Sequence, residues 1–196
     1  MDYEEEFSTV DILLKSESET RAIDSFALSL LKTERQMRRI FTFLIFQHNN
    51  YGSGDGIKLI KVLVDNKDMY FDNFIEGIDL VFYKTVAEVY GHDYNDDFKQ
   101  IKKITLDRNK IFHGQVTGKK LTRTELIDSV TLMRKWCKNI AGKFKEEIKY
   151  DGFGRNAYQK AEVKLKLKNI EKFGTVDNYK SFLRTIGRKK KRNNYA

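Results

Sequence analysis

An all-α fold is predicted by three features of this sequence. Proline is absent from its 196 residues and only 12 are glycine. Leu, Ile, Lys, Glu and Phe recur throughout, a mix that favours long helices over a turn-rich β architecture. Apolar residues return at every third and fourth position over several long stretches, the period of an amphipathic helix. A chain of this length carries one core with an appendage more readily than two ordinary domains. The expected layout is an acidic segment over 1–19, a helical domain of four to five helices over 20–148, a helical extension over 149–186 and a basic tail over 187–196.

The elements follow in order. From Thr20 to Gln47, Ile23, Phe26, Leu30, Met37, Ile40, Phe41 and Leu44 keep the helical spacing, with Ser18 or Thr20 as cap. "HNNYGSGDG" at 48–56 reads as a mobile loop. Residues 57–66 suit either a short helix or a strand, and their neighbours favour helix. Asp68 to Tyr90 carries a wide apolar stripe expected on one long helix, with Gly91 as its stop. A further helix should run from Asn95 or Asp96 to Gly114. "TRTE" at 122–125 is a capping box in which Thr122 and Glu125 satisfy each other's backbone donors, and it opens a helix through Phe144. "YDGFGRNAY" at 150–158 breaks that run. Residues 163–168 alternate charged and apolar types, which fits a strand or an exposed helix. "VDNYKSFLRTIG" should be a last short helix, and the basic end is expected to be disordered.

Charge is unevenly placed. The net formal charge is +9, yet acids crowd the first 19 residues and none follows Asp177. "RTIGRKKKRNNYA" concentrates base at the end, where Arg188, Lys189, Lys190, Lys191 and Arg192 can attract a polyanion through counterion release. RNA or DNA is the expected polyanion, and a solvated tail that only aids solubility is the alternative. The one cysteine, Cys137, cannot close an intramolecular disulfide, and no Cys/His pattern supplies a structural zinc site. The acidic start is unlike a signal peptide, and the longest strongly apolar block, "IFTFLIF" at 40–46, is too short to span a bilayer. The expectation is a soluble cytoplasmic protein with no membrane partner.

"DRNKIFHGQ" at 107–115 is the segment with chemistry in it. Residues four apart on a helix share a face, so Asn109 and His113 would point the same way with Arg108 a step around. Histidine gives and takes protons near neutral pH. Arginine is a fixed cation whose planar fork fits phosphate oxygens. Asparagine offers both donor and acceptor to orient either group. The set can serve metal-independent RNA cleavage: arginine holds the phosphodiester and histidine works beside the ribose 2′-hydroxyl or the leaving oxygen. The products would be a 2′,3′-cyclic phosphate and a 5′-hydroxyl, and DNA would be inert. Lys102, Lys103, Lys110, Lys119, Lys120 and Arg123 could extend the phosphate-binding surface, with Lys110, Lys119 and Lys120 the nearest candidates for contact with RNA.

Arg108, Asn109 and His113 resemble the signature of the HEPN ribonucleases: Arg, a polar residue often Asn, and His after four intervening residues. The resemblance covers about residues 20–148. It implies a helical bundle that forms a homodimer, with two copies of the motif facing each other across a shared cleft. It also implies a role as a toxin or antiphage defence effector cutting RNA, held by an antitoxin or other regulatory protein, with no metal and no cofactor. One departure stands out. A subgroup of the family has tyrosine two residues after the histidine, a target for modification by its antitoxin, and this chain has Gln115 there.

Other readings weigh against these. The alternative function is a non-catalytic HEPN-like module that binds RNA or protein. A DNA-binding regulator is weaker, because no helix-turn-helix recognition segment is present. His48 and His92 read as structural. His92 beside Asp93, Asp96 and Asp97 is more simply helix capping and dipole compensation than a metal site. Phe71, Phe74, Phe82, Phe98, Phe112 and Trp136 sit at core spacing, whereas Tyr51, Tyr150, Phe153 and Tyr158 lie by the glycine breaks as candidate base-stacking groups.

Overall fold

Side-chain caps mark the starts of the helices that open at Tyr3, Val86 and Arg123. In the computed structural model, which describes residues 2–112, 121–154 and 156–193 and their side chains except at 106–112 and 187–193, the elements among the described residues are helical. They are α1 (Tyr3–Lys15), α2 (Arg21–Phe46), α3 (Asp55–Val64), α4 (Phe71–Val81), α5 (Val86–Tyr90), α6 (Tyr94–Phe112), α7 (Arg123–Ile148) and α8 (Val176–Asn193), with a 3-10 turn at Ile170–Lys172. The chain forms two compact units: residues 1–36 with 89–155, and residues 37–88 with 156–196.

In the first unit, the acidic start is itself a helix. Asp2 and Glu5 close a reciprocal cap at 3.1 and 3.2 Å, and Glu4, Glu5 and Glu6 suit the positive end of the α1 dipole. Its inner face, Tyr3, Phe7 and Val10, is buried, and the Tyr3 hydroxyl donates to the Arg134 carbonyl on α7 at 3.1 Å. Arg134 also pairs with Asp11. The expected capping box opens α7: the Glu125 N–H donates to Thr122 Oγ1 at 3.2 Å, and the Thr122 N–H donates to the Glu125 carboxylate at 2.7 Å. Val130, Met133, Trp136, Cys137, Ile140 and Phe144 then form its buried stripe.

Glu6 is buried on α1 with Lys32 Nζ at 3.0 Å and the more exposed Arg35 at 3.3 Å. Removing one partner of a buried pair leaves an uncompensated charge. Lys32→Met should therefore cost about 3 kcal/mol, the low end for such losses because Arg35 remains. Glu6→Gln in the same chain should recover most of that. Urea unfolding of both variants checks it, and a double variant no more stable than Lys32→Met alone would contradict it.

Burial also gives this unit an alkaline weakness. The Cys137 thiol is wholly buried, 3.3 Å from Thr33 Oγ1, and burial pushes it from 9.0 up to about 12. Between those values the unfolded chain has released a proton that the folded chain still holds. Folding stability must fall as pH rises through this window, by at most about 1.4 kcal/mol per pH unit from this group. Urea midpoints should drop between pH 9 and pH 10.5, and Cys137→Ala should make the drop shallower. An identical slope in the variant would contradict the assignment.

In the second unit, the stretch expected as one helix over 68–90 is broken. α4 ends at Val81, and the chain turns through 82–85 before α5. Thr85 and Glu88 form a capping box, with the Thr85 N–H donating to the Glu88 carboxylate at 2.6 Å and the Glu88 N–H to Thr85 Oγ1 at 3.2 Å. Asp79 Oδ1 accepts the Val86 N–H at 2.6 Å, satisfying another first-turn donor. Gly77 on α4 allows the close approach of the buried Phe41 ring, since a Cβ there would meet Phe41 Cε2 at 2.6 Å.

Two more expectations are corrected here. Residues 163–168 form neither helix nor strand, but touch the turn after α4 through one antiparallel bridge, Phe82 to Leu167. The last helix is not short: α8 keeps helical backbone through Asn193, so Arg188–Arg192 lie on its final turns rather than in a disordered tail. Among the described residues no helix is long and apolar enough to cross a membrane.

Candidate functional site

α6 supplies the backbone for the first part of the motif. Its start is held by Asp97, whose carboxylate accepts the Tyr90 hydroxyl at 2.5 Å and pairs with Lys135 of α7 at 2.9 Å. Asp97, Ile101 and Ile104 are buried in a row at spacings of four and three residues, while Lys99, Lys102 and Lys103 are exposed. Trp136 of α7 lies against the same helix, its ring 4.7 Å from Tyr90, 5.8 Å from Tyr94 and 6.2 Å from Phe98.

Arg108, Asn109 and Lys110 fall on the last turns of α6. His113, Lys119 and Lys120 lie outside the described residues, as does Gln115. Arg188, Lys189, Lys190, Lys191 and Arg192 share the last turns of α8. Arg123, the first residue of α7, is exposed.

The cluster at the start of α6 is structural in its contacts. His92 Nδ1 lies 3.1 Å from Asp93, and Lys135 spans Asp93 and Asp97. The His92 and Lys135 contacts hold the Asp93 carboxyl below the usual carboxylate range. Among the described residues, no group of three His, Cys, Asp or Glu side chains is arranged to hold a metal ion.

No protein family, no curated protein and no solved structure matches this chain. The residues themselves therefore carry the functional argument.

The proposed stacking aromatics are corrected by their burial. Tyr51, Tyr150 and Phe153 are core, between 1% and 4% exposed. Tyr51 donates its hydroxyl to the Phe173 carbonyl, and burial pushes that hydroxyl up to about 12. Tyr158 is half-buried, edge-on to Phe46 at 5.7 Å. The loop at 48–56, expected to be mobile, is tied down by Tyr51 and by Asn50 Nδ2, which donates to the Gly174 carbonyl at 2.9 Å. His48 accepts the Asn50 N–H on Nδ1 at 3.1 Å, and burial lowers its basicity. Lys160 crowns the C-terminal end of α2, donating to the Phe46 and His48 carbonyls at 2.7 Å each.

Among the described groups, sequence reasoning missed Tyr83. It is a ring 40% exposed with the ammonium groups of Lys84 and Lys166 at 5.4 and 5.6 Å from its centre. Its signal was hidden because residues 68–90 read as one helix, on which Tyr83 has no special place.

Proposed function

We propose that the protein is a metal-independent endoribonuclease of HEPN type. Arg108 holds the scissile phosphate, His113 acts as general acid and base, and Asn109 orients the pair. The single observation that carries this reading is the motif itself, Arg108–Asn109 followed by His113 after four intervening residues. The helical backbone through Phe112 supports it, since it spaces Arg108 and Asn109 on the end of one helix.

Two copies of the motif would meet across a homodimer cleft, as the resemblance implies. A toxin or antiphage effector of this kind would be held in check by an antitoxin or another regulatory protein. A second reading, an RNA-binding module without turnover, is favoured by the five consecutive basic residues on the last turns of α8.

Total RNA incubated with the full chain in EDTA tests the proposal. Discrete RNA fragments are expected, and DNA of the same length should stay whole, because it lacks the attacking 2′-hydroxyl. Intact RNA, or cleavage only after a divalent metal is added, would overturn it.

A further inference from the structure

The second unit carries a basic, partly apolar surface that the motif on α6 does not use. Residues 164–168 read Lys-Leu-Lys-Leu-Lys. They run beside the turn after α4: the Tyr83 N–H donates to the Lys166 carbonyl at 3.2 Å, and the Lys168 N–H donates to the Val81 carbonyl at 2.7 Å. Along it Leu165 and Leu167 are half-buried, while Lys164, Lys166 and Lys168 are exposed.

Tyr83 lies alongside, half-exposed, with the Lys84 and Lys166 ammonium groups 5.4 and 5.6 Å from its ring centre. Lys164, Leu165 and Leu167 also wall a cleft of about 490 Å³ that continues to Lys160, His48 and Ile170. The lining mixes Lys160, Lys164 and the acid Glu162 with the apolar Leu165, Leu167 and Ile170, and a cleft of that size has room for a nucleoside.

We propose that this surface binds single-stranded RNA. Phosphates run along Lys164, Lys166 and Lys168, one base lies on Tyr83, and another enters the cleft. Bases held in a duplex present no free face to a ring or a pocket, so the combination of flat aromatic, cleft and lysine row fits a single strand. Lys168 also faces Asp79 and Glu88, whose carboxylates cap Val86 and Thr85, so Lys164 and Lys166 carry most of the attraction. The inference takes RNA as ligand from the reading above, and it adds a binding site remote in sequence from Arg108 and His113.

The test is fluorescence anisotropy of a labelled 20-nucleotide single-stranded RNA in EDTA, with full-length protein carrying His113→Ala so that the RNA stays whole. Lys164→Gln/Lys166→Gln/Lys168→Gln in that background should weaken binding at least about tenfold and lower the log–log salt slope by about 1.4 to 2, the release expected from two to three phosphates on a single strand. Tyr83→Leu should weaken it by about tenfold through lost stacking. A control removing equal charge elsewhere, Lys67→Gln/Lys143→Gln/Lys145→Gln, should change it less than about twofold. The side chains changed at 67, 83, 143, 145, 164, 166 and 168 are exposed, and circular dichroism checks that each variant folds.

Binding that falls equally in the control, ignores Tyr83→Leu, or is matched by a polyglutamate peptide overturns the inference, as does no RNA binding at all. Cleavage by wild type with binding indifferent to the lysine row leaves the ribonuclease and removes this site. Binding that depends on the row, from a wild-type chain that never cuts, keeps the site and removes the ribonuclease.

Discussion

Alanine at His113 should lower RNA cleavage by about 10²–10⁴-fold, the usual contribution of a positioned general acid–base group. Its imidazole is the one group of the motif that can exchange a proton near pH 7; Arg108 and Asn109 cannot substitute for it. Arg108→Ala should be similarly severe, because a fixed cation on the phosphate stabilises charge that grows in the transition state. Arg108→Lys should recover only part, since an ammonium keeps the charge and loses the two-pronged geometry. The two alanine changes act on one transition state, so their combined loss should fall well short of the product of the single losses. Rates on one fluorogenic RNA, for wild type and four variants, check this. A His113→Ala variant that keeps wild-type rate would remove the histidine from the mechanism.

Trp136→Ala should destabilise the first unit by about 3–5 kcal/mol, as for other buried aromatics cut back to alanine. The indole is completely buried and lies against Tyr90, Tyr94 and Phe98, so it fixes α7 to the start of α6. Aromatic contacts of this kind add about 0.5–1.5 kcal/mol beyond area alone. Urea unfolding followed by circular dichroism measures the loss, with Ile57→Ala as reference. Ile57 is 79% exposed on α3, and its truncation should stay within about 0.5 kcal/mol. A Trp136→Ala loss below about 1 kcal/mol would mean that this cluster does not hold α6 in place.

Much of the helical layout was legible because its signals are local. The Thr122–Glu125 capping box opened α7 as expected, and the apolar period of α2 gave its two ends within about a residue. The break after α4 was written in the sequence as Thr85-x-x-Glu88, another capping box, but Phe82, Val86 and Val89 keep helical spacing across it and outweighed it. Phe82 is buried for a different reason: it faces Leu167, which lies 85 residues further along the chain. The fate of the glycine-break aromatics was equally non-local. Tyr51 is core because it reaches the carbonyl of Phe173, 122 residues away, and no local pattern announces that contact.

The candidate site divides along the same line. A motif of three residue types within six positions is readable directly, and its first two members do fall on one helix end. The lysine row at 164–168 was visible as an alternation of types, yet its meaning depends on Tyr83, which only the pairing of the two segments brings beside it.

The chemistry of the new ends tests the central claim most directly. RNA cut by the wild-type chain in EDTA should carry 2′,3′-cyclic phosphates and 5′-hydroxyls, and a matched strand with 2′-deoxyribose throughout should remain whole. Fragments ending in 3′-hydroxyl and 5′-phosphate, or cleavage of the deoxy strand, would show that the 2′-hydroxyl is not the nucleophile and would contradict the mechanism assigned to Arg108, Asn109 and His113.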